Sequence, residues 1–126
     1  MDVIDKAEDL AVTAIAKVTN ESKFPKRYRW CLNDPIMKMA IQINTLVHSA
    51  NSIYPTNKRE MELRNQYQLK AIAEINGLMS MISVAKKSFK LDLNSVANWL
   101  KDLVDERALL KRWYEGDKDK YDGMSE

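Results

Sequence analysis

Between its few chain breakers this sequence runs in long uninterrupted stretches, and that spacing limits what it can fold into. Proline occurs only as Pro25, Pro35 and Pro55, and glycine only as Gly77, Gly116 and Gly123. Typical chains carry about 7% Gly and 5% Pro. Sheets need frequent turns, so the scarcity of both residues points to few, long elements. Met, Leu, Ala, Lys and Glu are plentiful, and these residues favour helix. The 126 residues suit one domain with a real core.

Apolar spacing divides the chain into four predicted helices. Val3, Ile4, Ala7, Leu10, Ala11, Ala14, Ile15 and Val18 form one stripe, giving a first helix over about Asp2–Asn20. Pro25 breaks the chain and can open the next helix, since it disfavours helical geometry at Phe24. Pro35 then falls inside the second helix. It removes one backbone hydrogen bond, so the helix either kinks there or restarts with Asp34 as N-cap. Ile36, Met39, Ala40, Ile43, Leu46, Val47 and Ala50 continue its apolar stripe up to the loop at Asn51–Pro55.

Thr56 or Asn57 caps a third helix predicted over Lys58–Ser88. It is apolar on several faces. Ile72, Ile75, Met79 and Ile82 form one row, Leu69, Ala73, Met81 and Val84 lie outside it, and Ala71, Leu78 and Ala85 fill the gap. This pattern predicts a bundle core on one side and a subunit interface on the other. Gly77, in mid-helix, suits close approach of a neighbouring backbone or is a tolerated defect. Asp92 or Asn94 caps a fourth helix ending near Glu115, with Val96, Trp99, Leu100, Leu103, Leu110, Trp113 and Tyr114 inside. Lys101, Asp102, Asp105, Glu106, Arg107, Lys111 and Arg112 form its solvated side. The expected fold is therefore all-α, an up-down-up-down antiparallel four-helix bundle over residues 1–115 with a polar, flexible tail over 116–126.

Net charge is only +2, but it is unevenly placed. Residues 1–21 balance to −3, residues 22–90 to +8 and residues 91–126 to −3, counting Lys and Arg against Asp and Glu. A basic middle points to a polyanion, or to pairing with acidic segments of this chain or another copy. Lys26, Arg27 and Arg29 crowd the predicted start of the second helix, where the dipole prefers anions. They are candidate phosphate ligands for that reason. Lys86, Lys87 and Lys90 end the third helix, where cations suit the dipole.

Catalytic patterns are absent from the sequence. His48 and Cys31 are single, too few for a zinc site within one chain, and no Gly-rich phosphate loop or G-x-S-x-G occurs. No Glu-x-x-His pair supports a di-iron bundle. The expectation is a protein that is not an enzyme and holds no cofactor or metal. Trp30, Trp99 and Trp113 lie near apolar stripes and are expected to be buried in a core or interface. No apolar run approaches the roughly 20 residues of a membrane span. The acidic start, MDVIDKAEDL, lacks the basic opening of a secretory signal, and the lone Cys31 allows no internal disulfide, so a cytoplasmic location is expected.

Phe24-Pro25-Lys26 after a short helix, the aromatic and basic Tyr28-Arg29, then Leu32, the stripe from Ile36 and the helix end at Ala50-Asn51 carry a resemblance. Over about residues 8–115 the chain resembles the four-helix-bundle family that contains the ribosomal-RNA intervening-sequence proteins and the accessory variability determinant (Avd) proteins of diversity-generating retroelements. The intervening-sequence branch continues with Ile-Ala-Glu-Gly where this chain reads Ser52-Ile53-Tyr54-Pro55, which favours the Avd-like branch. The resemblance implies a homo-oligomer, a ring of five bundles, whose basic surface binds RNA and possibly DNA. It further implies a non-catalytic partner of a reverse transcriptase in mutagenic copying of a template RNA. Lys26, Arg27 and Arg29 match the family's basic surface best, with Lys23 beside them. Lys58, Arg59 and Arg64 join the candidate set on charge and proximity to the next loop. The alternative is a protein-protein scaffold without nucleic-acid binding.

Overall fold

The computed structural model describes residues 1–124, and the chain is a four-helix bundle. Its helices are α1 (Asp2–Val18), α2 (Asp34–Asn51), α3 (Lys58–Ser88) and α4 (Leu93–Asp122). Each packs on its neighbours in sequence, and α4 closes the array against α1. Side-chain contacts fix the alternating directions. His48 of α2 meets Glu8 of α1, Arg107 of α4 meets Asn76 of α3, and Lys17 of α1 donates to Ser95 of α4.

The expected stripes make the core. Ala7, Leu10 and Ala14 of α1 face Ile36, Ala40, Ile43 and Val47 of α2, Ala71, Ile75, Leu78 and Ile82 of α3, and Val96, Trp99, Leu103 and Leu110 of α4. Full burial of each larger side chain stabilises the fold by about 1.5–3 kcal/mol relative to exposure. On α3 the innermost row is Ala71, Ile75, Leu78, Ile82 and Ala85, while Leu69 and Val84 stay 46% and 45% exposed. Gly77 meets no backbone. A Cβ there would lie 2.8 Å from the Met39 side-chain end, so the glycine makes room for a methionine tip on α2.

Caps set where the long helices begin. The Asn57 side chain accepts the Glu60 N–H at 2.9 Å, and the Glu60 carboxylate accepts the Thr56 N–H and hydroxyl at 2.8 and 2.6 Å. This reciprocal arrangement is a capping box shifted by one residue. The hydroxyl bond, then the backbone one, holds the Glu60 carboxyl below its ordinary 4.5. Asp92, rather than Asn94, caps α4 by accepting from Ser95 N–H at 3.0 Å.

Pro35 produces neither a restart capped by Asp34 nor an open break. Lys26–Tyr28 form a 3₁₀ turn, Arg29–Asn33 a π-helical turn, and α2 follows directly. The Asp34 N–H donates to Arg29 O, five residues back, and Pro35 occupies the first turn of α2, where a missing N–H costs least. The basic cluster thus precedes the regular helix by more than a turn, and the first turn of α2 holds Asp34, an acid. A turn closed five residues back holds one residue more than an α turn. The apolar spacing of α2 therefore cannot be extended backwards across it, and Trp30, expected in a core or an interface, lies outside the core of the bundle at 80% exposure.

Helix α4 runs past the expected end near Glu115 to Asp122. Asp117 anchors this extension. It is 2% exposed and accepts from Arg64 Nε at 2.9 Å, Arg64 Nη2 at 3.3 Å and Gln68 Nε2 at 2.6 Å. Of the tail expected over 116–126, Ser125 and Glu126 lie outside the described residues. Glu106 is the second departure on α4. Expected on the solvated side, it is fully buried, and neither carboxylate oxygen has a hydrogen-bond partner among the described residues. Desolvation pushes its pKa up to about 8, against a smaller downward pull from Lys6.

Candidate nucleic-acid interface

The turn between α1 and α2 is pinned from three sides. Phe24 is buried, edge-on to Phe89 at 5.4 Å and to Trp99 at 6.3 Å between ring centroids. Tyr28 packs on Phe89 at 4.7 Å, and its hydroxyl donates to Ser88 O at 3.1 Å. Asn33, also buried, donates from its amide to Pro25 O at 3.1 Å and Phe24 O at 3.4 Å. Aromatic edge-to-face pairs of this kind add about 0.5–1.5 kcal/mol each beyond burial. The turn is therefore a fixed scaffold, and Lys23, Lys26, Arg27 and Arg29 project from it as exposed cations.

The same contacts bring the end of α3 alongside. Phe89 ties Lys86, Lys87 and Lys90, all exposed, to the end of the bundle that carries the turn, and Lys17 joins from the last turn of α1. Eight cations from three segments thus share one end with three carboxylates, Glu21, Asp34 and Asp92. Two of these acids make loose surface pairs, Glu21 with Lys26 at 3.7 Å and Asp34 with Arg29 at 3.8 Å. Asp92 is committed to capping α4. Exposed pairs contribute about 0–1 kcal/mol, so they do not tie up the cations. Lys17 and Lys23 border a groove of about 480 Å³ whose floor includes Phe24, Val96 and Trp99.

The seven candidate residues do not form one surface. Lys58, Arg59 and Arg64 lie in the first two turns of the 31-residue α3, at the end opposite Ser88 and about 35–45 Å from it at 1.5 Å per residue. Lys58 sits 5.5 Å from the Tyr121 ring, and exposed Arg59 borders Glu60 and Glu62. Arg64 faces inward. Its guanidinium is spent on Asp117, on Ile53 O at 3.1 Å and on the face of Trp113 at 5.0 Å. The residues that sequence reading left out of the set are Lys17, Lys86, Lys87 and Lys90. Up-down topology was the signal for the last three, because it returns the end of α3 to the α1–α2 turn.

His48 and Cys31 stand apart from the cluster's chemistry. His48 Nε2 lies 3.2 Å from Glu8 on the bundle's side, and exposed Cys31 donates weakly to Tyr28 O. Among the described residues, no three His, Cys, Asp or Glu side chains are grouped to hold a metal ion, and no helix is long and apolar enough to cross a membrane. Compared with protein-family models, curated proteins and solved structures, the chain matches none. The class that the fold defines is the four-helix bundle, with a basic end.

Proposed function

We propose that this protein is a non-catalytic, oligomeric nucleic-acid-binding accessory of the Avd-like kind, which assists a reverse transcriptase in mutagenic copying of template RNA in a diversity-generating retroelement. One observation carries the nucleic-acid part: eight cations against three carboxylates on a rigid end of the bundle. Such a surface neutralises phosphates and releases their counterions, which gives affinity with little sequence preference. The retroelement part rests on the resemblance around Phe24-Pro25-Lys26 and on the four-helix fold. Lys23, Lys26, Arg27 and Arg29 are the principal phosphate ligands, and Arg64 supports the fold. The test is a structured RNA titrated against the protein and its Lys26→Ala/Arg27→Ala/Arg29→Ala variant. A drop of at least tenfold is expected, and equal affinity refutes the assignment of the site.

A scaffold reading, in which the basic end meets acidic protein surface, draws on the outward row of α3, where Leu69 and Val84 are nearly half exposed. Both readings expect self-association through such a face, and the Avd resemblance alone implies five copies. They part on RNA: the scaffold binds none at physiological salt.

A further inference from the structure

Trp30 is the largest apolar side chain in the sequence that solvent reaches freely, at 80% exposure, which is uncommon for tryptophan. It stands on the π-helical turn Arg29–Asn33, whose last two residues, Leu32 and Asn33, are buried. The turn's backbone is closed by the Asp34 N–H to Arg29 O bond, so the indole is presented from a held position rather than from a loose loop. Turns of this type recur at functional sites.

Around it, cations and rings alternate as Arg27-Tyr28-Arg29-Trp30. The Arg27 guanidinium carbon lies 5.1 Å from the Tyr28 ring centroid, and that of Arg29 lies 5.2 Å from Trp30. The two rings have different tasks. Tyr28 packs inward on Phe89, whereas Trp30 offers a flat surface to solvent beside Lys26, Arg27 and Arg29. An acidic protein surface satisfies the cations but has no need of a flat ring. A polyanion whose repeating unit itself carries a flat ring satisfies both. In a duplex those faces are covered by neighbouring base pairs; in a single strand or loop they are open.

Resting on the nucleic-acid reading above, we propose that Trp30 stacks on an unpaired base while Lys26, Arg27 and Arg29 hold the flanking phosphates, so that the basic end prefers single-stranded segments to duplex. Base–aromatic stacking tolerates any base, so the preference is for unpaired structure and not for sequence.

The experiment measures affinity for one RNA strand of about 12 nucleotides, a length within the usual site range, and for the same strand annealed to its complement. Wild type, Trp30→Ala and Trp30→Phe are compared, with circular dichroism to show that an exposed substitution leaves the helices intact. Trp30→Ala is expected to weaken single-strand binding by about tenfold and duplex binding by less than about twofold, with partial rescue by Trp30→Phe. Quenching of the wild-type indole emission by the single strand, lost in Trp30→Ala, is the matching optical sign. Equal losses on both RNAs, or none on either, overturn the stacking role and leave the phosphate site standing. Failure of the wild type to bind either RNA overturns both.

Discussion

Glu106→Gln should flatten the pH dependence of stability. Glu106 lies on the buried stripe of α4 between Leu103 and Leu110, with no exposed surface and no partner for either carboxylate oxygen among the described residues. Burial raises its pKa from 4.5 to about 8. Below the unfolded value both states are protonated and the fold keeps its full stability. Between 4.5 and about 8 the unfolded chain releases a proton that the folded chain holds, so stability falls as pH rises. At about 1.4 kcal/mol per pH unit, discounted for water entering the site, the loss is on the order of 4 kcal/mol by pH 8. Glutamine keeps the shape and cannot ionise. Urea unfolding followed by far-UV circular dichroism at pH 5, 6.5 and 8 should show the variant gaining on wild type as pH rises. Contributions from other groups, including the lowered carboxyl of Glu60, are common to both proteins and cancel in the difference. Parallel profiles across this range refute the claim that an unpaired carboxyl is buried there.

Other perturbations have equally definite outcomes. Asp117→Ala leaves the Arg64 guanidinium, 14% exposed, without its carboxylate; breaking a buried pair of this kind costs about 3–5 kcal/mol. Thermal unfolding should report that loss, and hydrogen exchange should report fraying of residues beyond Trp113. Gly77→Ala replaces a poor helix former, a gain of about 1 kcal/mol, and its methyl group meets only the flexible tip of Met39. The melting temperature should stay level or rise; a fall of several degrees means that Met39 cannot move. Light scattering at high concentration should show an oligomer, whereas a monomer removes the reading of Leu69, Ala73 and Val84 as an interface.

The fold was legible because its periodicity is strong where packing is dry. The stripes of α1, α2 and α3 follow apolar residues, and α3 spans Lys58–Ser88 as its caps and loops foretell. The misreadings cluster where one principle overrode another. On α4 the buried positions 96, 99, 103, 106, 110 and 117 keep helical spacing, but two carry acids. Apolar patterning skips Glu106 and stops before Asp117, although the gap between Leu103 and Leu110 was a sign that something had to fill the slot. Asp117 is compensated by Arg64 and Gln68, more than 45 residues away in sequence, which no local pattern reveals. Trp30 is not in the core because a π turn changes the residue count per turn without a distinctive composition. The basic site was half legible. Lys23, Lys26, Arg27 and Arg29 are neighbours in sequence, whereas Lys86, Lys87 and Lys90 reach them only through the Phe24, Tyr28 and Phe89 contacts.

The proposed role of the basic end is to bind nucleic acid through its phosphates. Its most direct test is the slope of log affinity against log salt for a single-stranded RNA, measured for wild type and for Lys26→Ala/Arg27→Ala/Arg29→Ala. If roughly four of the cations meet phosphates, the wild-type slope is about −3, and removal of three should shrink it by about 2. A wild-type slope near zero, or the same slope in both proteins, contradicts the account.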